Sequence, residues 1–216
     1  WNYLWWRLGR NRFSIKSLRD MKKIFIFAAF LIIVFSSISK VYSIEADIFV
    51  QSTVNRASEA LNNKFSKEEK ISKLKEIASQ TVDIKGIGSY TLGAYRKTIS
   101  NDQMEKYEFL FEQYFLKSFA SRLAEYSNPE IEVTSKKKLN QNYTMVSSVL
   151  VSTEQRPEVT IDWRIYTKNP ENLLIRDLII EGLSLARTQK EEFSSIIQSN
   201  DGDINALFDT LKEFVK

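Results

Sequence analysis

Three carboxylates near the predicted strands are the residues best suited to acid–base chemistry in this chain. Asp162, Asp177 and Glu181 are spaced so that two of them could approach each other across neighbouring strands. Glycoside hydrolases place two such carboxyl groups about 5 to 10 Å apart. Arg164 and Arg176 lie beside these acids in the sequence and are available as ion-pair partners. We therefore interpret the carboxylates as structural and predict no catalytic residue.

The amino-acid composition removes most other kinds of catalytic site. The 216 residues include no histidine and no cysteine. Nucleophiles activated by histidine, zinc sites built from histidine and cysteine, thiol redox centres and disulfides are thereby excluded. We predict a protein that is not an enzyme and that holds no metal and no cofactor.

Basic residues are concentrated at the start of the chain, although the formal net charge of the whole is +4. Residues 1–43 hold eight basic residues and one acidic residue, which leaves 23 basic against 26 acidic residues in 44–216, a net charge of −3. The body of the chain is therefore mildly acidic, and the high isoelectric point does not indicate nucleic-acid binding.

The pattern of residues 21–43 is typical of a secretory signal peptide. A charged start is followed by the apolar run Ile24–Phe35 and by small residues that lead to a predicted cleavage site after Ser43. The run is shorter than the roughly 20 residues that span a bilayer, and an uncleaved anchor is the alternative. Residues 1–20 precede this signal without an initiator Met, so we interpret them as an upstream extension; otherwise they would form an interfacial segment on the cytoplasmic side. Residues 44–216 are then a single domain, which we expect in the periplasm.

Helices are predicted before the sheet from spacing and capping residues. Apolar residues recur at helical spacing from Ala46 to Leu61, and Ser66 opens a capping box before a second helix that runs to about Gln80. A short helix is predicted in the glycine-containing stretch 82–97, and Ser100 opens another capping box.

The helix after Ser100 carries a broad aromatic stripe. Core packing is the simpler interpretation, and a wide aromatic face is also suited to lining a cavity for an apolar ligand. The stripe consists of Met104, Tyr107, Leu110, Phe111, Tyr114, Phe115, Phe119, Leu123 and Tyr126.

Four segments after Asn128-Pro129 alternate with the period of strands. Their short connections predict an antiparallel meander, and the fourth segment is apolar on both faces. Helices are predicted again at about 184–199 and at 204–215, with Leu207, Leu211 and Phe214 facing inward. Helices on both sides of one contiguous sheet indicate an α+β fold. The four predicted strands are 131–139, 143–152, 157–166 and 172–180.

Two segments carry a resemblance to a known family. In 82–115, Leu92-Gly93 and Tyr95-Arg96 stand before the phenylalanine-rich helix, and in 174–197 the residues Asp177 to Ser184 follow the pattern D-x-x-x-E-G-x-S. The chain resembles the MlaC-type periplasmic phospholipid-binding proteins, the auxiliary component of a lipid-transporting ABC system, also called the toluene-tolerance family. It departs from that family at Arg96, where Trp is usual, and at Leu173, often Trp.

The resemblance implies an NTF2-like domain whose apolar cavity, between sheet and helices, holds the acyl chains of a phospholipid cargo. It implies a monomeric carrier that moves lipid between outer- and inner-membrane complexes and so maintains outer-membrane lipid asymmetry. Glu181 and Gly182 would turn the last strand into the helix that closes the pocket. We predict that the lining consists of Leu92, Tyr95, Phe111, Tyr114, Phe115, Val149, Val151, Ile161, Trp163, Leu178 and Ile180.

Two other functional classes remain open at this point. An NTF2-like enzyme acting on a small apolar substrate would bring Asp162, Asp177 or a tyrosine together in the cavity with perturbed pKa values. A structural or adaptor protein would have a fully packed core instead of a cavity.

Overall fold

The computed structural model describes residues 44–216 except Ser127 and Gln155. The predicted upstream extension at 1–20 and signal peptide at 21–43 lie outside the described residues. Within these ranges, no helix combines the length and apolar character needed to cross a membrane.

Within residues 44–216, four α-helices precede the sheet, and two of them begin at the predicted capping boxes. The Ser66 side chain accepts a hydrogen bond from the backbone N–H of Glu69 at 3.2 Å, and the Glu69 carboxylate accepts one from the N–H of Ser66 at 2.8 Å. Ser100 and Gln103 repeat this arrangement. The helices are α1 (Ala46–Ala60), α2 (Lys67–Thr81), α3 (Ile84–Thr91) and α4 (Asn101–Leu123), with a 3-10 helix at Tyr95–Lys97 between the last two.

The sheet is the predicted antiparallel meander with one additional strand. Its order follows the chain, and the fifth strand has only two residues. Glu181 and Gly182 have φ values of 49° and 80°, which form the tight two-residue turn that antiparallel hairpins prefer. The chain therefore pairs once more, Ile180 with Leu183, before the next helix. The strands are β1 (Ile131–Lys138), β2 (Tyr143–Leu150), β3 (Val159–Tyr166), β4 (Leu174–Ile180) and β5 (Leu183–Ser184).

A bulge in β4 changes which of its residues share a face. Trp163 pairs with Leu178 and Ile165 pairs with Ile175, with the register shifted by one residue between them. Ile175 and Leu178 therefore lie on the same face of the sheet, although strict alternation puts them on opposite faces. Part of the predicted two-sided apolar character of this strand is thus a consequence of the bulge.

Two helices, α5 (Leu185–Gln198) and α6 (Ile204–Val215), follow the sheet. Leu207 and Leu211 are buried as predicted. Phe214 is 44% exposed, so its predicted inward position is wrong. Its ring lies against Tyr114 of α4, with centroids 4.8 Å apart.

Buried apolar residues form two separate clusters. The larger one joins the inner face of the sheet to all six of the α-helices described, and includes Tyr107, Trp163 and Phe208. The smaller one joins α1, α2 and the end of α4. Its members are Ala60, Leu61, Leu74, Ile77, Ala120 and Ala124.

Candidate functional site

An apolar cavity of about 260 Å³ lies among the sheet, α1, α2, α4 and α5. Its wall includes Leu61 and Ile77 from the smaller buried cluster and Ile161 and Trp163 from the larger one. The cavity therefore lies where the two clusters would otherwise meet, and the interior is not fully packed.

The α4 wall of the cavity is aromatic. Phe115 and Phe119 stack with centroids 5.6 Å apart, and Phe111 lies one turn earlier on the same face. Gly88 of α3 permits this position of Phe111, because a Cβ atom on that glycine would lie 2.8 Å from the Phe111 ring. Tyr107 is fully buried in the larger cluster and does not line the cavity.

The sheet wall is organised by Trp163. Its indole N–H donates a hydrogen bond to the Ser148 hydroxyl at 2.8 Å, and that hydroxyl donates to the Ile161 carbonyl at 3.2 Å. The bonds satisfy two buried polar groups and fix the indole ring, which leaves its apolar surface for the cavity.

Asp177 also lines the cavity, but its carboxylate is occupied by structural bonds. It is 4% exposed. It accepts hydrogen bonds from the Ser184 hydroxyl at 2.6 Å and the Ala186 N–H at 3.0 Å, and Arg164 Nη1 lies 3.8 Å away. These bonds attach the start of α5 to β4, which holds Leu185 at the cavity wall.

The other two candidate carboxylates do not line the cavity. Asp162 accepts a hydrogen bond from the Ser147 hydroxyl at 2.6 Å, and Glu181 accepts one from the Thr160 N–H at 2.5 Å. Among the described residues, Asp177 is the only carboxylate on the cavity wall. The structure therefore does not assemble there the carboxylate pair that a glycosidase-like mechanism requires.

Tyr114 supplies a second polar group to the wall. Its hydroxyl donates to Gln189 Oε1 at 2.9 Å, and both residues line the cavity. Burial, assisted by the nearby Glu192 carboxylate, raises the pKa of Tyr114. The hydroxyl is thus a neutral hydrogen-bonding group at neutral pH rather than a base. Among the residues described, no cluster of His, Cys, Asp or Glu is arranged to hold a metal ion.

The structure brings together seven of the eleven predicted lining residues. Those seven come from α4, β3 and the second half of β4. They are Phe111, Tyr114, Phe115, Ile161, Trp163, Leu178 and Ile180.

The remaining four predicted lining residues lie elsewhere. Leu92 is buried in the larger cluster at the end of α3, and Tyr95 packs against that cluster from the 3-10 helix. Val149 pairs with Thr160 on the outer face of the sheet, and Val151 follows the end of β2. The predicted face of β2 was therefore wrong, and Leu150 lines the cavity instead.

The predicted role of Glu181 and Gly182 also needs correction. They form the β4–β5 hairpin turn rather than a direct strand-to-helix turn. A Cβ atom on Gly182 would meet nothing within 4 Å, so the glycine is required by its positive φ and not by close approach.

The wall formed by α1 and α2 was entirely absent from the predicted lining. Small side chains on the inward faces of these helices, including Ala57, Ser58 and Ala78, border the cavity. In the sequence, these small residues occur at helical spacing among larger apolar residues, and that spacing could have identified them as part of the wall. The wall residues from α1, its C-cap Leu61 and α2 are Thr53, Val54, Ala57, Ser58, Leu61, Leu74, Ile77, Ala78 and Thr81.

Comparison with known proteins agrees with this architecture. The fold is similar to that of a phospholipid-binding protein from Ralstonia solanacearum, whose structure was determined in complex with a phospholipid. The TM-score is 0.67 at 20% sequence identity, and the alignment covers 80% of this chain and 97% of the other. The family model described as MlaC protein matches residues 51–213. Because this match extends over most of the sequence, the chain belongs to the MlaC protein family.

Proposed function

We propose that this protein binds a phospholipid, with the acyl chains in the cavity between the sheet and the helices. The cavity itself is the observation that carries the proposal, because it is lined almost entirely by apolar side chains and separates two buried clusters. The similar fold of the Ralstonia solanacearum protein, which was determined with a phospholipid, supports it.

We further propose that binding serves transport and not catalysis. Exposure of an acyl chain to water costs about 0.8 kcal/mol per CH₂ group, so a diacyl lipid crosses an aqueous compartment very slowly by itself. In a cavity of this kind, most of the contact between acyl chain and water is replaced by contact between acyl chain and protein. Membership of the MlaC family and the hydrogen-bonded state of Asp177 support a carrier over an acid–base enzyme.

The setting we propose is the periplasm, where the protein, as a monomer, would exchange lipid with outer- and inner-membrane complexes and so maintain outer-membrane lipid asymmetry. The signal-peptide pattern of residues 21–43 supports export. Family membership supports the transport role.

Native mass spectrometry tests the proposal directly. The full chain is expressed in a bacterium, purified without detergent and weighed with and without organic extraction. We expect near-stoichiometric phospholipid, and a protein mass that corresponds to cleavage after Ser43. A lipid-free mass, together with no uptake from phospholipid vesicles, would contradict the proposed function.

Two neighbouring isoleucines provide a matched pair of variants for the same measurement. Ile180 and Ile179 are both half-buried on β4, but Ile180 lines the cavity whereas Ile179 pairs with Asp162 on the outer face. We expect Ile180→Glu to lose most of its bound lipid, because it places a carboxylate against the acyl chains. Ile179→Glu should retain it. Equal lipid content in the two variants would contradict the assignment of acyl chains to this cavity.

A further inference from the structure

One end of the cavity is bordered by a tyrosine that also reaches the surface. Tyr126, just beyond the end of α4, lines the cavity and is 38% exposed. The guanidinium carbon of Arg156 lies over its ring, 5.2 Å from the centroid. A cation is therefore held beside the place where the apolar cavity meets solvent.

Arg156 has few of the partners that a half-buried guanidinium normally acquires. In the part of the chain that the structure describes, it makes no ion pair with a carboxylate within 4 Å. Its Nε atom is buried without a hydrogen-bond partner, and no other buried side-chain nitrogen or oxygen of the described residues is left in that state. A buried N–H without a hydrogen-bond acceptor is costly, and no carboxylate balances the guanidinium charge, so this group is suited to an anionic ligand.

The backbone of Arg156 is hydrogen-bonded to that of Thr153. The Thr153 N–H donates to the Arg156 carbonyl at 2.8 Å, and the Arg156 N–H donates to the Thr153 carbonyl at 3.2 Å. The guanidinium also lies over the Tyr126 ring. Both contacts restrict Arg156 and so reduce the entropy lost when it binds an anion.

We propose that Arg156 binds the phosphate of the cargo lipid at the Tyr126 end of the cavity. The inference rests on the proposed function and adds the position of the headgroup and the basis for choosing a phospholipid. A guanidinium can donate two parallel hydrogen bonds to a phosphodiester, which a lysine ammonium cannot reproduce with the same geometry. Lipids with the same acyl chains but no phosphate should therefore bind less well.

A competition experiment with the full chain tests this inference. Delipidated protein is incubated with vesicles that contain equal amounts of phosphatidylglycerol and diacylglycerol with identical acyl chains, and bound lipids are counted by native mass spectrometry. We expect the wild type to prefer phosphatidylglycerol by about tenfold or more, the contribution typical of hydrogen bonds to a charged group. In Arg156→Gln that preference should fall about tenfold while diacylglycerol uptake is unchanged, and Arg156→Lys should be intermediate.

The control variant is Arg96→Gln, which removes the same charge from an exposed residue that does not line the cavity. It should keep the wild-type preference. Equal uptake of the two lipids by the wild type would overturn the role of Arg156 even if the Arg156 variants failed to fold. The same conclusion would follow if Arg156→Gln kept its preference. Uptake of neither lipid would instead contradict the proposed function itself.

Discussion

Asp177 is a buried carboxylate beside an apolar cavity, a position in which an enzyme would keep a general acid or base. Its two oxygen atoms are instead used to hold the start of α5, through the Ser184 hydroxyl and the Ala186 N–H. Each carboxylate oxygen therefore has a structural hydrogen-bond partner. These bonds also give the D-x-x-x-E-G-x-S pattern a structural meaning, because Asp177 and Ser184 are its first and last residues.

Tyr107 carries the clearest pH dependence in the protein. It is fully buried, its hydroxyl lies 2.8 Å from Thr91 Oγ1, and it donates to the Gly88 carbonyl at 3.1 Å. Burial raises the pKa of this hydroxyl above its usual value. The unfolded chain therefore loses the Tyr107 proton first, so the contribution of Tyr107 to the free energy of unfolding is constant below about pH 10 and falls above it.

We expect Tyr107→Phe to flatten that alkaline fall by up to about 1.4 kcal/mol per pH unit, the value for one proton. Urea unfolding between pH 9 and about pH 12 measures the slope for each protein. The free energy of unfolding at pH 7 should drop by about 1 kcal/mol because a buried hydrogen bond is lost. Tyr90→Phe, at an exposed tyrosine, is the control for removal of a hydroxyl. Parallel alkaline slopes for Tyr107→Phe and the wild type would contradict this account.

At the scale of elements, the β4–β5 hairpin connects the sheet to α5 and shapes the cavity wall. Gly182 and Gly202 form a matched pair, since their φ values are 80° and 81° and neither has an atom within 4 Å of an added Cβ. Replacement of either glycine by alanine should lower the free energy of unfolding by about 1 to 2 kcal/mol, which is the cost of a left-handed backbone conformation in an L-residue.

The two alanine variants should differ in lipid retention. Gly182→Ala strains the turn between Ile180 and Leu185, two wall residues, whereas Gly202→Ala strains the connection between α5 and α6. We expect lipid to leave Gly182→Ala faster, as measured by transfer of fluorescent phospholipid to vesicles. Equal transfer rates for the two variants would show that the hairpin has no role in holding the cargo.

Most elements were predictable from local chemistry, but the inward faces of β2 and β4 were not. Capping by Ser66 and Ser100 depends on side chains three residues apart, so the sequence alone indicates where those helices begin. On β2, Ser148 faces inward because the Trp163 indole needs an acceptor there. Because this buried serine is polar, the alternation of apolar and polar residues in β2 does not identify its inward face. The bulge in β4 likewise moves Ile175 off the face that strict alternation gives it. Both depend on tertiary partners that a one-dimensional pattern does not contain.

For the whole molecule, the cavity is the feature that distinguishes this domain from one with a packed core. The buried apolar residues form two clusters, whereas most domains of this length have one continuous core. The aromatic stripe of α4 follows from the sequence, but the wall opposite it depends on how α1 and α2 pack across the sheet. Such packing could not be predicted from helical spacing, which indicates the inward face of a helix but not the distance to its neighbour.

Two buried alanines distinguish the cavity from the packed part of the interior. Ala78 of α2 lines the cavity, whereas Ala120 of α4 is buried in the smaller cluster away from it. Ala78→Met should fill part of the cavity and raise the free energy of unfolding of the lipid-free protein by about 1 kcal/mol, because methionine adapts to irregular gaps. Ala120→Met should overpack a filled site and lower it by about 1 to 3 kcal/mol. Urea denaturation of delipidated protein measures both, and native mass spectrometry should show less lipid on Ala78→Met. If both variants were destabilised alike, the interior would be packed at Ala78 as well, and the structural or adaptor class would replace the carrier.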